Sequence, residues 1–189
     1  MVRTFIAVDI SEEQRAVIGQ TVGTLKQTRS GIRWVRPENL HLTLKFLGSI
    51  DETSIDKITH VLKELSAGYA PFKMELKTIG AFSSLKRPDV IWIGVKKSLE
   101  LETLAADIEQ RLSVIGFKKE DRPYSPHLTI ARVKNLKGYD EIYEKLKALS
   151  DKDFGACEVT EISLMKSDLT PEGAQYTNLK SFRLNQASH

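Results

Sequence analysis

One tetrapeptide pattern occurs twice in this chain, with a change only at its last residue. His41-Leu42-Thr43-Leu44 and His127-Leu128-Thr129-Ile130 stand 86 positions apart. Each alternates polar and apolar residues, the period of a strand with one dry face and one open face. His and Thr, two residues apart, then point to the same side, so each copy presents an imidazole beside a hydroxyl. The offset extends beyond the motif. Phe5-Ile6-Ala7 falls on Ile91-Trp92-Ile93, Ser11 falls near Ser98, and Leu76 falls on Ile162. This is an internal duplication. A duplicated unit packs with approximate two-fold symmetry, which would set His41 and His127 across one groove.

The elements follow the same repeat. A strand over Phe5 to Ile10 leads into Ser11-Glu12-Glu13-Gln14, a capping box that opens a helix, with Gly31 as its stop. A short strand over Ile32 to Val35 breaks at Pro37. The first motif strand runs from Leu40 to Leu47 and ends at Gly48. Asp51 caps a helix with Ile55, Ile58, Leu62 and Leu65 on one face, and Phe72 to Ile79 alternates as a strand. The pattern restarts with a strand over Val90 to Val95 and a helix capped by Ser98 and stopped by Gly116. A short extended piece from Phe117, the second motif strand His127 to Val133, and a helix capped by Asp140 come next. A strand over Cys157 to Met165 and a last strand over Tyr176 to Leu184 complete the chain.

The expected fold is therefore α+β and bilobal, with strand-helix-strand-strand-helix-strand occurring twice. It is pseudo-two-fold, with antiparallel sheets around a central cleft. Residues 1–189 form one bilobal domain with pseudo-repeats at about 2–80 and 88–167 and a C-terminal strand at 175–184. Half a chain is close to the marginal size for an independent core, so the halves are expected to fold together.

Composition narrows the partners. The net charge of +3 permits a polyanion without demanding one. No apolar run is long enough for a bilayer, so no membrane role is expected. The N-terminus turns acidic at Asp9, too soon for a signal peptide, and Cys157 has no second cysteine to pair with. These features point to a cytoplasmic protein, and nothing demands more than a monomer. Cys157 reads as a packing residue.

Two imidazoles can hold one proton between them near neutral pH. One can accept a proton from a nucleophile while the other gives one to a leaving group. Threonine hydroxyls can donate to a phosphoryl oxygen as charge develops. Zinc would ask for three or four ligands at short spacing; His60 lies on a helix and His189 is the last residue, so no third histidine ligand is evident, although Asp or Glu could serve. No Gly-rich phosphate loop is present, and no cofactor is implied. The chemistry that best suits two His and two Thr without a metal is attack on a phosphodiester, above all a strained cyclic ribose 2',3'-phosphate. Lys45 and Arg132 adjoin the motifs and suit an anion. On strict alternation Lys45 shares the face of His41, whereas Arg132 faces away from His127 unless the strand bulges. Trp34, Phe46, Phe82, Trp92 and Tyr124 are the aromatics near the motifs. Phe46 and Trp92 sit in apolar strand patterns and are expected in the core, leaving Tyr124 as the candidate to hold a base.

These residues resemble the two-histidine phosphoesterase superfamily, and the chain is similar throughout to its RNA 2',3'-cyclic phosphodiesterase branch, also called 2'-5' RNA ligases. The resemblance is carried by Arg33-Trp34-Val35-Arg36-Pro37 leading into His41-Leu42-Thr43-Leu44-Lys45-Phe46-Leu47-Gly48. Pro126-His127-Leu128-Thr129-Ile130-Ala131-Arg132 and Ser167-Asp168-Leu169 carry it further. It implies hydrolysis of an RNA 2',3'-cyclic phosphate end, including tRNA-derived ends, to a 2'-phosphate, and a reversible, ATP-independent 2'-5' joining of RNA ends. It implies His41 as proton donor, His127 as proton acceptor, and Thr43 and Thr129 on the phosphoryl oxygens. Two other readings stay open: an enzyme for a small cyclic phosphate nucleotide, and a non-enzymatic RNA- or nucleotide-binding module.

Overall fold

The computed structural model describes residues 1–26, 31–171 and 173–185; His189 lies outside them. In chain order the elements are β1 (Val2–Asp9), α1 (Glu12–Leu25), β2 (Ile32–Trp34), β3 (His41–Ile50), α2 (Glu52–Ser66), β4 (Phe72–Phe82), β5 (Val90–Val95), α3 (Leu99–Val114), β6 (His127–Val133), α4 (Tyr139–Ala148), β7 (Asp153–Val159), β8 (Glu161–Thr170) and β9 (Gly173–Arg183). Three helices start where the capping residues indicate. The side chains of Ser11, Asp51 and Ser98 accept from the amides of Gln14 at 3.2 Å, Ser54 at 2.8 Å and Leu101 at 3.2 Å. Helix α4 differs. It begins one residue before Asp140, behind Gly138 at φ 68°, a left-handed conformation that glycine adopts without strain. Buried Tyr139 fixes that start by donating its hydroxyl to the Leu85 carbonyl at 2.6 Å.

All the described strands join one antiparallel sheet in the order β7-β4-β5-β6-β3-β1-β8-β9, with β2 pairing on β6. The two motif strands meet at its centre through a single register pair, Leu42 with Leu128. On either side lies a lobe: β6, β5 and β4 edged by β7, and β3, β1 and β8 edged by β9. Each lobe borrows a strand from the other half of the chain, because β4 lies beside β5 and β8 lies beside β1. One face of the sheet is covered by helices, with α1 against β7, α3 against β3 and α2 against β8 and β9. Ile6, Val8, Leu42 and Leu128 pack there against Ile18, Ile58, Leu62 and Ile108.

Three expectations change. The strand expected over Cys157 to Met165 is two strands, broken at Thr160, whose pieces go to opposite lobes: β7 pairs with β4 and β8 with β1. Cys157 is buried on β7, as a packing residue would be. Gly48 does not end the first motif strand; it takes φ 74° within β3, which continues to Ile50. The extended piece from Phe117 stays outside the sheet, and Pro123 and Pro126 in it lack the amide a ladder needs.

Both motif strands bulge at the same place. On β3, Ala7 of β1 stands opposite Thr43 and Ile6 opposite Lys45, which leaves Leu44 as the extra residue. On β6, Trp92 stands opposite Thr129 and Ile91 opposite Ala131, which leaves Ile130 extra. A bulge reverses the alternation beyond it. Lys45 and Ala131 therefore turn toward the helices and are buried, while Phe46 and Arg132 turn to the open face.

Candidate active site

The duplicated strands bring all four motif side chains to one place. His41, Thr43, His127 and Thr129 line a single cleft of about 1180 Å³ on the open face of the sheet, around the Leu42–Leu128 pair. The two histidines are held alike. Nδ1 of His41 lies 2.8 Å from the Asn39 carbonyl, and Nδ1 of His127 lies 2.7 Å from the Ser125 carbonyl. A carbonyl only accepts, so Nδ1 carries a proton in each ring, and the lone pair of the unprotonated ring then sits on Nε2. Asn39 and Ser125 stand two residues before each histidine, so the orienting contact is duplicated with the motif.

The surroundings of the two rings differ. His41 stacks on Phe5 at 4.8 Å between ring centres and stands perpendicular to Tyr176 at 5.0 Å. Tyr176 comes from β9, whose hairpin with β8 is tied down when Asn39 Nδ2 donates to the Ala174 carbonyl at 2.9 Å and Arg33 donates to that of Pro171 at 3.0 Å. His127 has one described ring contact, perpendicular to Phe82 at 4.7 Å. Burial holds the His41 pKa below the ordinary histidine value; the Asn39 carbonyl and the Asp9 carboxylate oppose this, and the Arg15 guanidinium adds to it.

The unfolded chain takes up a proton on His41 near pH 6.5, before the folded chain does. His41 therefore makes the protein less stable as pH falls from about 6.5 to its lowered folded value, and contributes no slope above that window. Urea unfolding of wild type and His41→Gln between pH 5 and 8 checks this. The substitution is expected to remove part of the slope on the acid side only.

The flanking residues sort by the two bulges. Arg132 points into the cleft, and its charge opposes the burial that raises the Tyr176 phenol. Lys45 does not share the face of His41, contrary to strict alternation. It is 2% exposed, and its Nζ donates to Glu109 Oε1 of α3 at 2.7 Å and to the Lys118 carbonyl at 2.9 Å. Phe46, expected in the core, is 57% exposed on the cleft side. Trp92 is half-buried and lies over Gly80, where an added Cβ would come within 2.2 Å of the indole. Tyr124 lines the cleft, but its hydroxyl donates to the Thr43 carbonyl at 3.2 Å, and burial pushes that phenol well up. It braces one motif strand from the loop that leads into the other. Among the described residues no group of three or more His, Cys, Asp or Glu side chains converges as a metal-ligand set, and no helix is long and apolar enough to cross a membrane.

Sequence reasoning missed four contributors: the carbonyls of Asn39 and Ser125, and the rings of Phe82 and Tyr176 as walls against the histidines. The first two carried a signal, since they repeat at the motif's own offset. Tyr176 carried none, because β9 reaches the site only through its pairing with β8.

Known proteins resemble the chain in sequence and in fold. The family model of the 2'-5' RNA ligase superfamily matches residues 14–171. A relative from Methanothermobacter thermautotrophicus named RNA 2',3'-cyclic phosphodiesterase is 36% identical over 183 residues, covering 97% of this chain and 99% of the relative. One of the same name from Methanocaldococcus jannaschii is 39% identical, covering 95% and 99%. Among solved structures, a protein from Thermus thermophilus superposes with a TM-score of 0.83 at 28% identity, covering 98% of this chain and all of that one. E. coli LigT complexed with 3'-AMP superposes with a TM-score of 0.79 at 25% identity, covering 98% and 99%. With its duplicated His-Thr strands and its curled antiparallel sheet, the chain belongs to the 2'-5' RNA ligase superfamily.

Proposed function

We propose that this protein is an RNA 2',3'-cyclic phosphodiesterase that opens the cyclic phosphate at an RNA end to a 2'-phosphate, using its two histidines as acid and base without a metal. The observation that carries this reading is the pair of equally oriented imidazoles in one cleft, each with Nδ1–H held by a carbonyl, which leaves the lone pair to Nε2. The family's named relatives support the substrate class.

In this reading His127 accepts a proton from water as the water oxygen bonds to phosphorus. The bond from phosphorus to the ribose 3'-oxygen breaks, and His41 gives its proton to that oxygen. Thr43 and Thr129 donate to the phosphoryl oxygens, and Arg132 attracts the anion. The surroundings favour this division of labour. His41 sits behind Phe5 and Tyr176, where an imidazolium is disfavoured and its proton is readily given up, while the phosphate's negative charge restores that proton when substrate is bound. The His127 contact with Ser125 lies exposed, where water has access. A 5'-hydroxyl in place of water makes the same step a 2'-5' joining of RNA ends.

The test is a short RNA ending in a 2',3'-cyclic phosphate, incubated with the protein and a chelator, with the terminal phosphate of the product identified. A 2'-phosphate is expected. A 3'-phosphate would overturn the assigned leaving oxygen, loss of turnover with the chelator would overturn the metal-free step, and binding of the RNA without turnover would leave a binding module.

A further inference from the structure

We infer that Arg3, Ser167 and Tyr176 form a second anion subsite beside the His-Thr quartet, and that it holds the phosphodiester joining the terminal nucleotide of the RNA to the one before it. The inference rests on the phosphodiesterase reading above and names residues to which that reading gives no contact with substrate.

The sheet register brings the three together. On β1, Arg3 shares the face of Phe5, on which His41 stacks. β1 and β8 pair through Thr4 and Lys166, so the next residues along that ladder are Arg3 and Ser167. β8 and β9 pair through Ser167 and Tyr176. Arg3, Ser167 and Tyr176 thus form one row across three adjacent strands, and all three line the cleft. Tyr176 ties the row to the chemistry, because its ring stands perpendicular to His41 at 5.0 Å. Burial raises the Tyr176 phenol, and the guanidiniums of Arg132 and Arg3 oppose this from two sides of the cleft. With the cyclic phosphate between the histidines, the next charge along an RNA end is the phosphodiester on the 5'-oxygen of the same ribose. A row set beside His41 suits that group.

The row is free to bind. Among the described residues no carboxylate pairs with Arg3, and neither the Ser167 nor the Tyr176 hydroxyl has a hydrogen-bond partner. Asp168, beside Ser167 on β8, takes the other face by alternation and is paired with Lys166 at 2.9 Å. One guanidinium and two hydroxyl donors suit a singly charged diester, whose two unesterified oxygens only accept. The other lobe has no equivalent. Phe5 stands opposite Phe46 and Val90 opposite Arg132, so the residue in the place of Arg3, two before Val90, is Pro88. Pro88 is buried and carries no charge. The RNA upstream of the cyclic phosphate therefore runs toward β1, β8 and β9.

The experiment compares kcat/KM for two dinucleotides ending in a 2',3'-cyclic phosphate, one with a natural phosphodiester linkage and one with an uncharged methylphosphonate linkage. Wild type, Arg3→Ala and Arg3→Lys are tested. Wild type is expected to prefer the charged linkage by roughly 10-fold, the scale of one charge-assisted hydrogen bond, and to lose that preference as salt is raised. Arg3→Ala is expected to fall by about 10-fold on the charged dinucleotide, through KM, and to match wild type on the uncharged one. Arg3→Lys is expected to keep part of the preference, since the charge remains without the planar fork. Equal losses on both dinucleotides, or no loss on the charged one, would overturn the inference and leave the phosphodiesterase reading intact. Failure of the wild-type chain to turn over either dinucleotide would remove that reading and the inference with it.

Discussion

His127→Ala is expected to lower turnover of a cyclic-phosphate RNA end by about 10²–10⁴-fold, the scale of a lost general acid or base. His41→Ala is expected to fall in the same range. The two losses should not add in the double variant, because acid and base act in one step. Folding should survive in both. His127 makes its backbone contact in the open, and His41 gives up a stacked neighbour but also a buried titratable ring. Single-turnover rates and thermal unfolding of the three variants test this together. Wild-type rates in either single variant would sink the mechanism, whereas a lost rate in an unfolded variant would be read from the melting curve rather than assigned to chemistry.

Lys45→Ala is expected to destabilise the protein by about 3 kcal/mol while Lys45→Ala with Glu109→Leu recovers much of that loss. Removing one member of a buried ion pair leaves the other desolvated without its partner. Glu109 keeps some access to water at 22% exposure, which puts the effect at the low end for such pairs. Its second oxygen, Oε2, has no partner among the described residues, so little else is available to compensate. Urea unfolding measures it. The result also separates two roles for this lysine. A residue that grips substrate would raise KM with stability unchanged, whereas the contact with α3 and the Lys118 carbonyl predicts the reverse order of effects.

The pair Lys45 and Phe46 explains what the sequence could and could not disclose. Period-two alternation carries no mark of an inserted residue, so a reading of β3 without its partner strand puts Lys45 and Phe46 on the wrong face, before a second irregularity at Leu47 restores the phase. Lys45 was expected on the face of His41 and is instead buried against Glu109 in the wall of the cleft; Phe46 was expected in the core and lies exposed in the cleft. Arg132 was legible only as a condition, that the strand bulge, and β6 does bulge. The motif residues ahead of the bulge were legible because alternation and repeat agree there. The helix starts at Ser11, Asp51 and Ser98 were legible because capping is a local matter of a side chain and an amide three residues on. Strand partners are not local. Nothing between Cys157 and Met165 says that one end of that run pairs with β4 and the other with β1, at opposite sides of the molecule.

The exchange of β4 and β8 between the halves bears on how such a cleft could arise. A chain stopping after β4 would have its first and third strands paired and its last strand without a neighbour, since β4 finds its partners β5 and β7 in the later half. Two copies of that short chain could each supply the strand the other lacks, and the result would be a closed homodimer with two identical His-Thr sets facing each other across its symmetry axis. Fusion of the two copies would leave the cleft formed by both and free each copy to change alone. A ring at position 46 and a guanidinium at position 132 are the kind of divergence that only the fused chain can carry, because in a dimer of identical subunits any substitution appears at both ends at once.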